Sequence, residues 1–154
     1  MKVGIVSYGL GNVKAFFNAF NYFNINVEII ENPRDLNYCD KIVLPGVGAF
    51  DDAILKLKSG GFFDVLNEEV LHLKKPVLGV CIGMHIMGSS SEEGMQQGLN
   101  WFPCNVDRFL IERSKRIPHI GWNRVILKNS DKLFQNIENL NFYFLHSYKY
   151  PIAN

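Results

Sequence analysis

The sequence predicts an α/β fold: a central, mostly parallel sheet with helices on both faces and antiparallel strands added late. Three observations predict it. Short apolar runs alternate with stretches of helical periodicity over the first 88 residues, which is the texture of βαβ units. Turns rich in glycine follow the runs, at the carboxyl ends of strands, where such sheets bind ligands. After Gly88 the texture changes to strand-like and aromatic runs with little helix between them.

The elements follow in order. Val3 to Ser7 reads as a buried strand that ends at the turn Tyr8-Gly9-Leu10-Gly11. Asn12 can cap a helix whose apolar residues Val13, Phe16, Phe17, Phe20 and Phe23 share one face. Val27 to Ile30 is the next strand, and Asn32-Pro33-Arg34-Asp35 breaks the chain. Lys41 to Leu44 runs into Pro45-Gly46-Val47-Gly48, and helices are expected around Asp51 to Leu57 and Phe62 to His72. Val77 to Val80 is a strand that hands over to a helix at Cys81. Later strands are expected at Asn105 to Ile111, Asn123 to Leu127 and Phe142 to Leu145, with the basic stretch Arg113-Ser114-Lys115-Arg116 joining the first two. Neither a repeat nor an interdomain linker interrupts the chain, so residues 1–154 read as a single domain.

Composition narrows the function classes. A chain of 154 residues can bury a substantial core, and 47% hydrophobic with 20% charged residues mark it as neither disordered nor highly solvated. Net charge is +1, which gives no electrostatic case for nucleic acid or an anionic membrane as the main partner. Cys39, Cys81 and Cys104 are odd in number and widely spaced, which argues for a reducing compartment. Metal-ligand spacing and a complete dinucleotide fingerprint are both missing, since Lys14 stands where a third glycine would be, so no metal or cofactor is expected. Without a signal peptide or an apolar span, the expected location is the cytoplasm. The pairs Asp51-Asp52 and Glu68-Glu69 read as solvated starts or faces of helices.

The chemistry centres on Gly79-Val80-Cys81-Ile82-Gly83. A nucleophile at a sharp strand-to-helix turn needs neighbours without a Cβ, and glycine stands two residues to either side of Cys81. Such a turn sets the sulfur at a helix N-terminus, where free N–H groups and the helix dipole favour thiolate. The bland alternative is a buried cysteine in a core strand. The second feature, Pro45-Gly46-Val47-Gly48-Ala49-Phe50, also follows a strand. Glycines on both sides of Val47 let a peptide rotate and aim a backbone N–H into a cleft, as an oxyanion hole requires, with the Ile82 N–H as a second donor. Alone it is an ordinary turn; beside the Cys81 elbow it describes an acyl-transfer site.

Six segments in order carry a resemblance: Tyr8-Gly9-Leu10-Gly11-Asn12, Pro45 to Phe50, Gly79 to Met84, Ser91-Glu92-Glu93-Gly94, Pro118-His119-Ile120-Gly121-Trp122-Asn123 and Phe144-Leu145-His146-Ser147-Tyr148. Together they resemble the glutaminase subunits of imidazole glycerol phosphate synthase, triad-type (class I) glutamine amidotransferases of histidine biosynthesis. The resemblance implies a three-layer, flavodoxin-like amidotransferase domain, incomplete at its C-terminus. It implies hydrolysis of glutamine to glutamate and ammonia through a Cys81 thioester, and a heterodimer with a (β/α)₈ cyclase subunit that receives the ammonia. By the same resemblance Val47, Gly48 and Ile82 line the oxyanion hole, and Gly46, His85, Glu93, Ser147 and Tyr148 bind glutamine. Asn12, His119, Trp122 and Tyr143 fall at or near the synthase interface. Each has a plainer reading: Glu92-Glu93 a solvated loop, Ser147 and Tyr148 strand ends, Trp122 a core anchor.

Two departures qualify the likeness. His85 stands where the family usually carries glutamine, which implies an altered substrate pocket. At four residues from Cys81 on a helix, its imidazole would lean beside the thiol rather than face it. The family's His-Pro-Glu segment, which supplies the base and its orienting carboxylate, does not occur in these 154 residues. A truncated reading frame is therefore expected. Three alternatives follow: a non-catalytic module that only docks the synthase; a paralogue feeding ammonia to another enzyme, such as a sugar-modifying synthase; and a cysteine hydrolase or redox chaperone on a similar sheet. The last usually has histidine directly after the cysteine, where this chain has Ile82.

Overall fold

The computed structural model describes residues 1–110, 117–127 and 132–151. These gather into two compact units, Met1–Arg108 with Lys149–Asn154, and Phe109–Tyr148. The basic stretch Arg113 to Arg116, the end of the expected strand at Ile111 and the last three residues lie outside the described residues.

The first unit is built on four parallel strands, β1 (Val3–Val6), β2 (Val27–Ile30), β3 (Lys41–Leu44) and β4 (Val77–Gly79), in the order β2-β1-β3-β4. Val3 lies opposite both Val27 and Lys41, and Ile42 opposite Val77, so β1, β3 and β4 end at nearly the same level. β1 is buried along its whole length, as a strand covered on both faces must be. Side chains alternate between the two faces: Val3, Ile5 and Val43 meet one layer of helix, and Val6, Ile42 and Leu44 meet the other.

Helix α1 (Val13–Tyr22) covers the first face with Val13, Phe16, Phe17 and Phe20, residues that recur at helical spacing. Asn12 caps it, its side chain accepting the Ala15 N–H at 3.2 Å. Phe23, expected on the same face, is instead the exposed residue that ends the helix.

The opposite face is covered by α2 (Phe50–Ser59), which buries Phe50, Ala53, Ile54 and Leu57, and by α3 (Phe62–Asn67). Full burial of side chains such as Phe50, Ile54 and Leu57 stabilises the layer by roughly 1.5–3 kcal/mol each. Asp51 and Asp52 open α2 and Lys56 and Lys58 close it, matching the helix dipole at both ends. The helix expected over Phe62 to His72 is α-helical only to Asn67 and continues as a wider π turn over Glu68–His72. The single turn α4 (Ile82–His85) follows β4. A short parallel pair, β5 (Ser90–Ser91) beside β6 (Asn105–Arg108), follows in this unit.

The second unit carries the antiparallel hairpin β7 (His119–Arg124) and β8 (Asn141–His146). Its first strand begins four residues earlier than expected, because Pro118 and Gly121 read as turn residues in the sequence. Gly121 lies within the strand at φ +129°. The short β9 (Tyr148–Lys149) marks the boundary of the two units. Among the described residues no helix is long and apolar enough to cross a membrane.

Candidate active site

Cys81 has backbone angles φ +56° and ψ −123°, a region that residues with a Cβ rarely adopt. Neighbouring hydrogen bonds hold it there. The Val80 N–H donates to the Leu44 carbonyl at 3.0 Å, which ties the end of β4 to β3. Gly83 N–H donates back to the Val80 carbonyl at 3.0 Å, and the Cys81 carbonyl accepts from Met84 and His85 at 2.9 and 3.1 Å.

The flanking glycines are required sterically. A Cβ on Gly83 would overlap the Leu44 carbonyl, and one on Gly79 would come within 2.6 Å of the Met84 Cα. The thiol is left exposed at the carboxyl end of the sheet. The sharp strand-to-helix turn expected at Cys81 is present, although α4 is a single turn and supplies little dipole.

The Pro45 to Gly48 turn leaves the neighbouring strand β3 at the same level. Pro45 is buried, Val47 is exposed, and Gly48 adopts φ +106°, a conformation open to glycine. A Cβ on Gly46 would stand 2.6 Å from Tyr8 Oη and 2.9 Å from the Gly83 nitrogen. On the far side of the same turn, a Cβ on Gly11 would reach within 3.1 Å of the Gly46 nitrogen. The strand-end loops therefore meet closely enough that neither Gly11 nor Gly46 has room for a Cβ. Among the described residues, no hydrogen bond uses the N–H of Val47, Gly48 or Ile82. These three donors are those expected to stabilise an oxyanion.

Glu93 reaches this region from the loop after β5. Its carboxylate accepts the Phe50 N–H at 3.1 Å, at the first residue of α2, directly after the Gly48-Ala49 turn. Burial pushes its pKa up, the Phe50 hydrogen bond pulls it down, and the nearby negative charge of Asp51 adds to the rise. Glu93 N–H in turn donates to Ser91 Oγ at 3.1 Å.

The loop is fixed by a residue the sequence presented as solvated. Asp51 accepts the Met95 N–H at 2.9 Å and the Gln96 N–H at 2.9 Å, and Gly94 packs where any Cβ would overlap its carboxylate. Of the other pair, Glu68 is exposed as expected and Glu69 is not. Glu69 is 1% exposed and pairs with Lys75 at 2.5 Å, whose ammonium also donates to the Leu36 carbonyl at 2.8 Å.

His85 is 5% exposed, and its ring stands edge-on to Tyr150 with centroids 6.2 Å apart. The Tyr150 hydroxyl donates to the Met84 and His85 carbonyls at 2.6 and 3.0 Å, so it fastens the end of α4. Asn12 serves at the start of α1 as that helix's cap and is otherwise exposed.

The remaining expected residues belong to the second unit. Trp122 lies opposite Tyr143 with ring centroids 5.8 Å apart, and both rings are more than half exposed. On the other face, Asn123 Nδ2 lies 2.7 Å from His119 Nε2, His119 Nδ1 lies 3.0 Å from His146 Nε2, and His146 Nδ1 lies 2.9 Å from the Tyr148 carbonyl. An amide nitrogen only donates and a carbonyl only accepts, so this chain of contacts runs in one direction, each ring accepting at Nε2 and donating at Nδ1. Ser147 and Tyr148 follow β8, both half-buried, and the Ser147 carbonyl accepts from the Phe109 N–H at 3.0 Å.

Two residues of the site escaped the sequence reading as functional, Tyr8 and Asp51. Tyr8 is buried against the Gly46 turn, and the glycines around it were the available signal. Asp51 carried no signal beyond its place at a helix start.

Residues 5–152 match the family Glutamine amidotransferase class-I. The chain is 45% identical to an imidazole glycerol phosphate synthase subunit HisH from Leptospira borgpetersenii over 150 residues, 95% of this chain and 74% of that protein. A subunit of the same name from Bdellovibrio bacteriovorus is 42% identical over 156 residues, 99% of this chain and 76% of that one. Among solved structures, a glutamine amidotransferase superposes with a TM-score of 0.74 at 14% identity, over 99% of this chain and 75% of the other. A putative GMP synthase protein from Thermoplasma acidophilum gives a TM-score of 0.67 at 15% identity, over 97% and 66%. These two likenesses concern the fold.

Proposed function

We propose that this chain, which belongs to the class-I glutamine amidotransferase family, is the glutaminase subunit of an imidazole glycerol phosphate synthase. The observation that carries the reading is the Cys81 elbow at φ +56°, set beside a turn whose Val47 and Gly48 N–H groups have no acceptor among the described residues. In this reading Cys81 Sγ attacks the side-chain amide carbon of glutamine, and the carbonyl oxygen gathers negative charge opposite the N–H groups of Val47, Gly48 and Ile82. Collapse of the adduct expels ammonia, which takes up the thiol proton, and leaves a γ-glutamyl thioester. Water then hydrolyses the thioester to glutamate and returns the thiol.

Glu93 is suited to the α-amino group of the substrate, with Ser147 and Tyr148 for its α-carboxylate and Gly46 and His85 lining the pocket. His119, Trp122 and Tyr143, with Asn12, are proposed to meet a cyclase subunit built as a (β/α)₈ barrel, in a cytoplasmic heterodimer that passes the ammonia between subunits. The chain is read as one amidotransferase domain.

The test mixes the chain with that cyclase partner and follows glutamate release from glutamine. Turnover that needs the partner and vanishes in Cys81→Ala is the expected result. Tight binding without turnover would leave a docking module, and neither binding nor turnover would overturn the assignment.

A further inference from the structure

Tyr8 lies two residues beyond the end of β1 and is 6% exposed within the larger core cluster, yet among the described residues its hydroxyl has no hydrogen-bond partner. A buried hydroxyl without a partner costs free energy that a phenylalanine ring would not, so packing alone does not account for a tyrosine here. What surrounds the oxygen is the expected oxyanion turn. Gly46 approaches so closely that a Cβ there would stand 2.6 Å from Oη, and the Gly83 nitrogen of the elbow flanks the same point at 2.9 Å. Burial, and then the neighbouring Cys81 charge, hold the phenol pKa far above its ordinary value, which keeps the group a neutral donor.

The Gly46–Val47 peptide is planar and trans, so its C=O and N–H point in opposite directions. Glycine at 46 and at 48 leaves this segment few steric barriers to rotation. Resting on the reading above, we propose that Tyr8 is a positioning residue for the oxyanion turn. Its buried hydroxyl donates to the Gly46 carbonyl when the Gly46–Val47 peptide turns the Val47 N–H toward the atom that Cys81 attacks. The orphaned donor thus stores a cost that only the competent orientation of the turn relieves. The residue touches neither glutamine nor the thiol; it biases the backbone that does.

The test compares the parent chain with Tyr8→Phe, which keeps the ring and removes the oxygen. Two thiol reagents are used, with and without the cyclase partner. One is 6-diazo-5-oxo-L-norleucine, a glutamine-shaped diazoketone: its diazo carbon takes up a proton, the thiolate forms the C–S bond and nitrogen gas leaves, with the ketone oxygen in the oxyanion position. The other is iodoacetamide, whose iodide is displaced with no oxyanion formed. The expected result is a maximal rate of diazoketone labelling about tenfold lower in Tyr8→Phe, the size of one lost hydrogen bond. The diazoketone half-saturation and the iodoacetamide rate should stay close to the parent's, while the thermal midpoint should rise by a few degrees as the cost of the orphaned hydroxyl is removed. Equal diazoketone rates in the two proteins, or a parallel loss with iodoacetamide, would overturn the inference and make Tyr8 a packing residue. A parent chain that iodoacetamide alkylates and the diazoketone never labels would overturn the glutaminase reading itself, and this inference with it.

Discussion

The parallel sheet of the first unit and the β7/β8 hairpin of the second are both strands with apolar side chains, but they are specified by opposite demands. In the sheet, β1 is buried throughout, and glycines at 46, 79 and 83 stand where a Cβ would strike backbone or a buried oxygen. In the hairpin, Ile120 faces Leu145 and Trp122 faces Tyr143, and all four are more than half exposed, with Trp122 at 73%. The first region is dictated by what fits, and substitution there should be read in stability or chemistry. Whatever fixes the exposed aromatic face of the second, it is not the need to fill a core, so its substitutions should be read in association.

The largest expected effect breaks the sheet side of this contrast. Cys81→Gly should lower glutamine hydrolysis by at least about a thousandfold, since the nucleophile is gone, while raising stability by roughly 1 kcal/mol because glycine adopts the φ +56° backbone without strain. Steady-state ammonia release and urea unfolding check the two halves, and a destabilised variant would contradict the strain argument. Next, Gly83→Ala sets a methyl group against the Leu44 carbonyl and should cost about 3 kcal/mol, seen as a lower urea midpoint at unchanged slope.

On the hairpin, Trp122→Ala should change stability by less than about 0.5 kcal/mol, yet weaken binding of the cyclase partner by about 2 kcal/mol in titration calorimetry. A stability loss as large as that of Gly83→Ala would erase the distinction between the regions. The smallest effect concerns pH. Burial raises the Glu93 carboxyl above its ordinary 4.5, so the folded state holds that proton more tightly than the unfolded chain does. The resulting stabilisation is present below 4.5 and is lost as pH rises through the folded value. Glu93→Gln should therefore be slightly more stable than the parent at pH 7, and the gap should close on acidification, as thermal melts across pH would show.

Those same demands decide how much could be read before folding. The elbow and the Pro45 to Gly48 turn were legible because backbone collision leaves glycine as the residue that fits, and the parallel sheet followed from the alternation of apolar runs with helices. The start of β7 was not, since Pro118 and Gly121 signal turns locally and only pairing with Phe144 and His146 makes the segment a strand. Asp51 looked like any acidic residue at a helix start, because its partners Met95 and Gln96 lie more than forty positions away. Glu69 hid in the same way, on a turn whose π geometry no local signal announces, paired with Lys75 beneath the end of the helix. Tyr8 was visible as part of a glycine-rich turn; that its oxygen is buried without a partner is a property of three loops at once.

The left-handed backbone at Cys81 also has a genetic consequence. A cysteine codon becomes a glycine codon by one base change, and at this position glycine is the residue the backbone prefers. Such a lesion would relieve the backbone strain at this turn while leaving the packing around it in place. On the proposed function, the position least replaceable in chemistry is thus the one whose backbone best accepts glycine, and a Cys81→Gly chain would fold without turning over.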